Sequence, residues 1–129
     1  MFSLFKIESL YIRIYSDYIE IRHLEKNIDI KRKAIDRFSN SRLILAEYYV
    51  AENFLLNLIK ELYKGERIKS SLQILIQPIA IIDGGLSQVE RRAFLDLGEH
   101  IGGRKVIIYE KQDKLTDTLV LDILNSKQS

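Results

Sequence analysis

Ser87-Gln88-Val89-Glu90-Arg91-Arg92-Ala93 is the stretch on which the reading of the fold turns. A Ser followed three residues later by Glu is a capping-box pattern. The Ser87 hydroxyl can accept from the amide of residue 90, and the Glu90 carboxylate can reach back to the Ser87 amide. A helix therefore starts here, with Val89, Ala93, Leu97 and Ile101 predicted on one stripe and Gly102-Gly103 at its end. Before it, Leu72 to Gln77 is an apolar strand flanked by Ser70-Ser71 and Pro78. Ile79 to Ile82 stays apolar, and Asp83-Gly84-Gly85 turns the chain. After it, Val106 to Tyr109 is a continuous apolar run, as expected of a strand covered on both faces. Strand, helix and strand in this order make a crossover unit.

Working outward, Leu10, Ile12 and Ile14 alternate with Tyr11, Arg13 and Tyr15, the pattern of a half-buried strand. Ser16-Asp17 is a turn pair. Ile19 and Ile21 then alternate with Glu20 and Arg22, Asn27 marks a second turn, and Ile28 and Ile30 open a third strand. Asp36 to Arg42 is polar and reads as a loop, with Ser41 as a plausible N-cap. Ile44, Tyr48, Ala51, Leu55, Leu58, Ile59 and Leu62 recur at helical spacing up to Gly65. Leu115, Leu119, Val120, Ile123 and Leu124 form the stripe of a last helix. The predicted order is β-β-β-α-β-α-β-α, an α/β chain with a mixed five-stranded sheet and helices packed on it. One domain spans 1–129: a meander over 8–35, a helix over 42–64 and strand-helix-strand-helix over 70–126.

Composition narrows the chemistry. The 129 residues are 47% hydrophobic and 29% charged, with a net charge of +2. Lys and Arg alternate with Asp and Glu, whereas a nucleic-acid binder shows a basic stripe. The densest basic cluster is Lys31-Arg32-Lys33, which reads as a solvated strand end. There is no cysteine, so disulfides and thiolate chemistry are excluded. The two histidines, His23 and His100, each stand alone and read as surface or strand-end residues. No apolar run approaches the ~20 residues of a membrane span. Met1 to Phe5 is apolar and expects at most weak membrane contact.

Catalytic motifs are equally sparse. No Gly-x-Ser-x-Gly elbow and no Walker-type lysine occur. A two-metal nuclease needs converging carboxylates. The first strand offers Glu8 at its start and Arg13 near its end, and Asp29, Glu110 and Asp117 have no reason to converge. Backbone amides at Gly84, Gly85 and Ser87 could hold an anion.

The element order is the one described for the ribonuclease H-like fold, which includes each core half of actin and its relatives. The residues carry a closer resemblance. Leu86 to Ala93 resembles the Gly/Thr-Gln-Val-Glu-Arg-Arg-Ala stretch of the bacterial rod-shape actin homologues, the MreB family. Gln77-Pro78 stands where that family ends a strand in Val-Pro, and Gly103-Arg104-Lys105-Val106 matches its Ala-Arg-Glu-Val. Leu45-Ala46-Glu47-Tyr48-Tyr49-Val50-Ala51-Glu52 resembles its Ile-Ala-Asp-Phe-x-x-Thr-Glu. The matches run collinearly from about residue 1 to 110, and the length suffices only for the first of the family's two similar halves.

The resemblance also shows what is lost. The family's first phosphate loop is Asp-x-Gly-Thr after strand one, where the Asp acts through magnesium. Here the stretch is Arg13-Ile14-Tyr15-Ser16, with the acid's charge reversed and a large ring in place of Gly. The family's Glu-Glu-Pro becomes Glu110-Lys111-Gln112. The resemblance thus implies a degenerate actin-like subdomain, not an enzyme, with no cofactor and no metal. It would be a cytoplasmic or membrane-peripheral protein–protein interaction module that partners a full-length actin-like protein and forms a homodimer. The expected interaction surface is Tyr11, Arg13, Tyr15, Asp83, Gly84, Gly85, Arg91 and Arg92, together with the last helix. Tyr11, Tyr15 and Tyr18 could instead pack under a helix. The alternative is a small-ligand or nucleic-acid-binding module using Lys31, Arg32, Lys33, Arg91, Arg92, Arg104 and Lys105.

Overall fold

The computed structural model describes residues 6–79 and 85–126. Three strands form the antiparallel meander: β1 (Ile7–Tyr15), β2 (Tyr18–His23) and β3 (Ile28–Lys33). Tyr15 faces Tyr18 across the first turn and His23 faces Ile28 across the second. Asp17 and Asn27 carry these turns at φ 56° each, a conformation Asp and Asn tolerate better than most residues. Helix α1 (Tyr48–Leu62) leads to β4 (Ser71–Pro78), α2 (Gln88–His100), β5 (Gly103–Ile108) and α3 (Asp117–Ser126). β4 runs parallel to β1 and β5 parallel to β4. The result is a mixed five-stranded sheet in the order β3-β2-β1-β4-β5.

The alternation in β1 divides the core into two layers. Leu10, Ile12 and Ile14 join Ile74 and Ile76 beneath α1 and α2, which contribute Ala51, Leu55, Leu58, Phe94 and Leu97. Tyr11, Leu75 and Ile107 face the other way, beneath Leu115, Val120 and Leu124 of the α3 arm. Each fully buried Leu or Ile contributes about 1.5–3 kcal/mol. A one-residue register slip would exchange the two layers, so the register is strongly specified.

Four expectations need correction. First, α1 begins at Tyr48, and Ser41 does not cap it; its N-cap residue, Glu47, makes no side-chain cap bond. The segment before it closes on itself instead. Asn40 Oδ1 accepts from the amides of Arg42 and Leu43 (2.8 and 2.7 Å), Ser39 Oγ donates to the Ile44 carbonyl (2.6 Å), and the Glu47 amide bonds the Phe38 carbonyl (2.9 Å). Phe38 and Ile44 are buried anchors, and Asp17 accepts from the amides of Phe38 and Ser39. Local side-chain bonds have outcompeted the helix. Second, the buried stripe of α2 is Phe94, Leu97 and Gly98, and Val89 is 80% exposed. Gly98 sets this rotation, because a Cβ there would lie 2.6 Å from Val106 Cγ1 of β5. Only glycine lets the helix approach the strand so closely. Third, Leu119 faces outward on α3, while Val120 and Leu124 are buried. Fourth, His23 lies at a strand end but is fully buried.

The capping box forms as the sequence indicates, with Ser87 N to Glu90 Oε1 at 3.0 Å and Glu90 N to Ser87 Oγ at 3.1 Å. Gly85 has φ +78°, while Asp83, Gly84 and the apolar run up to Ile82 from residue 80 lie outside the described residues. Among the described residues no helix is long and apolar enough to cross a membrane. Met1 to Phe5 also lie outside them.

Candidate functional site

In an open α/β sheet, ligands bind beyond the carboxyl ends of parallel strands, where successive connections leave in opposite directions. Here that place lies between β1, which continues to β2, and β4, which continues toward β5. The ends are stitched together by Ile79 N to Ile14 O (2.8 Å) and Tyr109 N to Ile76 O (2.8 Å).

Gln77, a polar residue in an apolar strand and fully buried, organises this edge. Its Oε1 accepts from the Tyr11 hydroxyl and from Arg13 Nε, the latter at 3.0 Å. Its Nε2 donates to the carbonyls of Lys111 (2.8 Å) and Asp113 (2.7 Å). The Tyr11 hydroxyl in turn accepts from the Leu115 amide at 3.1 Å. Arg13 Nη1 lies 3.5 Å from Glu20 Oε1, and Arg13 Nη2 donates to the Gln112 carbonyl at 3.4 Å. Gln112 Nε2 donates to the Pro78 carbonyl at 3.1 Å. Side chains of β1 and β4 thus bind the 111–113 loop, and their donors and acceptors are spent on one another. Burial pushes the Tyr11 phenol pKa up, partly offset by the Leu115 amide.

Among the described residues, those of the expected surface do not form one patch. Tyr11 is 3% exposed and packs under α3, so it is core and not interface. Arg13 and Tyr15 are half-buried. The Tyr15 hydroxyl donates to Glu20 at 3.2 Å, and the Arg13 guanidinium lies 5.5 Å from the Tyr15 ring centroid. Burial raises the Tyr15 pKa as well. Arg91 donates to Glu110 Oε2 at 2.8 Å, so the one acid that matches the actin pattern here is held in an ion pair. Arg92 faces outward and pairs with Asp96 (2.9 Å). The basic set of the alternative reading is dispersed too: Lys31, Arg32 and Lys33 lie on edge strand β3, and Arg104 and Lys105 on the opposite edge strand β5.

A second polar cluster, at the other end of β1, escaped the sequence reading. His23 Nδ1 accepts from the Lys26 amide at 3.1 Å, which leaves Nε2 protonated to donate to Glu8 Oε1 at 2.9 Å. The Tyr63 hydroxyl donates to the same oxygen at 2.6 Å. Burial opposes ionisation of Glu8, but hydrogen bonds from Tyr63, His23 and Ser70 outweigh it and lower the pKa. Ser9 is fully buried and donates through N and Oγ to Glu25 (2.6 and 2.8 Å), not to His23. The cluster therefore offers no nucleophile–base pair of the kind acyl transfer needs. It fastens β1, the β2–β3 turn and the end of α1. His100, at the end of α2, contacts Tyr48 and Glu52 of α1 at 2.8 and 2.9 Å. No group of three or more potential metal-ligating side chains gathers among the described residues.

No family model matches the chain. It is 33% identical over 129 residues to "Uncharacterized protein YjaA" of Escherichia coli (strain K12), across 92% of this chain and 98% of that protein. Among solved structures, MreB5 of Spiroplasma citri bound to ADP superposes with a TM-score of 0.55 at 12% identity. The match covers 81% of this chain but only 38% of that one, and it shows an actin-like fold. The 33% identity across nearly the whole of both chains sets the family: this chain belongs to that of YjaA.

Proposed function

We propose that this YjaA-family chain is a single ribonuclease H-like subdomain of actin type, degenerate relative to the MreB family, which works through protein–protein contact and not catalysis. The observation that carries this reading is the Gln77 network. In the family that the sequence resembles, the edge it fills is where the first phosphate loop sits. Arg13 and Tyr15 stand at the positions of its Asp and Gly, and the Arg13 guanidinium is already shared between Gln77 and Glu20. A phosphate would have to displace the 111–113 loop and leave the buried Gln77 amide without its partners. An unsatisfied buried group costs about 1–3 kcal/mol.

The partner we infer is a full-length actin-like protein of the same cell, met in the cytoplasm, with self-association into a homodimer as the resting state. Val89 and Leu119, apolar and outward-facing on α2 and α3, are two of the exposed apolar side chains that could make such contacts, beside Ile35 and Tyr49. The reading is tested by co-sedimentation with filaments of the purified actin homologue. Saturable pelleting, weakened by Val89→Asp or Leu119→Asp, is the expected result. A chain that stays in the supernatant under conditions that pellet all the filaments would overturn the partner assignment.

A further inference from the structure

A cleft on the α3 face of the meander adjoins the Gln77 edge, with which it shares Tyr11, Arg13, Glu20 and Leu115. Its volume is about 210 Å³. Strands β2 and β3 form the floor, and the Lys114–Asp117 approach to α3 forms one wall. The alternation that sends Ile19, Ile21 and Ile30 under α1 sends Glu20, Arg22, Asp29 and Lys31 to this face. Most of these charges are matched within the protein. Arg22 holds both oxygens of Asp117 (2.7 and 2.8 Å), Asp29 (3.1 Å) and the Asn27 carbonyl oxygen (2.6 Å). Glu20 is held by Arg13 and by the Tyr15 and Tyr18 hydroxyls. All three acids of the lining are thereby engaged by arginine.

Two cations remain. Lys31 from the β3 floor and Lys114 from the opposite wall line the cleft, and neither ammonium has a hydrogen-bond or ion-pair partner among the described residues. The lining carries four cations, Arg13, Arg22, Lys31 and Lys114, against three acids, Glu20, Asp29 and Asp117, and this net charge of +1, with both lysine ammoniums unpartnered, favours a negatively charged occupant. Size narrows the class. Drug-sized ligands need roughly 300 Å³ or more. A phosphate group or a short dicarboxylate fits within the cleft, whereas a nucleotide would extend beyond it. The clamp on Arg22 fixes the wall, and preorganisation of that kind limits the ordering that binding would require.

We propose that this cleft binds a small dianion, phosphate or a short dicarboxylate, bridged between Lys31 and Lys114.

The test is an amide-resolved NMR titration of the whole chain with three probes: inorganic phosphate, succinate and acetate. Saturable shifts are expected at Ile21, Ile30, Lys31 and Leu115 with phosphate, succinate or both. Which of the two dianions acts identifies the source, and acetate should bind at least tenfold more weakly. Lys31→Gln and Lys114→Gln, both exposed substitutions, should each weaken binding about tenfold, the effect of losing one charge-assisted hydrogen bond. Lys33→Gln lies outside the cleft and should leave it unchanged. The native spectrum of each variant confirms its fold. Shifts that do not saturate, that spread equally to Arg104 and Lys105, that acetate reproduces at the same concentrations, or that survive the double lysine variant would each overturn the proposal.

Discussion

Replacing Gln77 with Met keeps a flexible chain of similar length in the core and removes all four hydrogen bonds of the amide. The buried Tyr11 hydroxyl would retain the Leu115 amide as donor but lose its acceptor, which costs about 2 kcal/mol. Arg13, with 11% of its side chain exposed, would keep Glu20 and lose one bond, costing about 1 kcal/mol more. The carbonyls of Lys111 and Asp113 sit in an exposed loop where water replaces the amide, so their loss adds little. The expected destabilisation is about 3 kcal/mol, a drop in Tm of roughly 10 °C for a domain of this size. Tyr11→Phe removes the hydroxyl that Gln77→Met would strand, so Gln77→Met should cost at least about 1 kcal/mol less in the Tyr11→Phe background. Urea unfolding of the four proteins in this cycle provides the numbers. Additivity within about 0.5 kcal/mol, or a single-mutant cost below about 1 kcal/mol, would refute the network as a cooperative unit.

Three further outcomes follow from the packing and the ion pairs. Tyr63→Phe withdraws a donor from the Glu8 carboxylate and should cost about 2 kcal/mol in urea unfolding at pH 7. Gly98→Ala forces a methyl group to within 2.6 Å of Val106, so α2 and β5 must separate, at a cost of about 1–3 kcal/mol; Gly98→Ala with Val106→Ala should recover part of it. The pKa of Glu8 lies below its ordinary value of 4.5, and those of Asp17 and Asp117 below 3.8. Burial works against Asp17, but the Ser39 and Phe38 amides and Arg37 outweigh it, and the Arg22 hydrogen bond lowers Asp117. A depressed folded pKa gives stability that is present above the unfolded value and lost as pH falls through the folded one. The urea midpoint should therefore hold from pH 7 to about 5.5 and decline below 4.5; a flat profile down to pH 3 would contradict these assignments.

What could be read from the sequence followed from periodicity and short-range chemistry. Alternation in Leu10–Tyr15 and Tyr18–His23 specified two faces: Leu10, Ile12, Ile14, Ile19 and Ile21 join one core, while on the other face Tyr11 joins a second core and Glu20 and Arg22 line the cleft. The Ser87–Glu90 capping box fixed the start of α2 because both partners lie within one turn. What could not be read depends on contacts distant in the chain. Tyr11 meets Gln77 across 66 positions, and Tyr63 meets Glu8 across 55. Nothing local says that Tyr11 is core while Tyr15, four residues on, stays at the rim. The one available signal was polarity out of place: Ser9 and Gln77 interrupt apolar strands, and each organises a buried network. Val89 was misplaced because periodicity gives a stripe but not its phase, and here Gly98 against Val106 sets the phase.

We propose that the edge corresponding to the phosphate-binding edge of the actin-like family is filled here by the chain's own side chains. Isothermal titration calorimetry of the purified chain with ADP and with ATP, each with magnesium, tests it most directly. The account predicts no saturable heat up to millimolar nucleotide, for the wild type and for Lys31→Gln alike. Binding in the micromolar range, abolished by Arg13→Ala or by substitutions at Ser16, would contradict it.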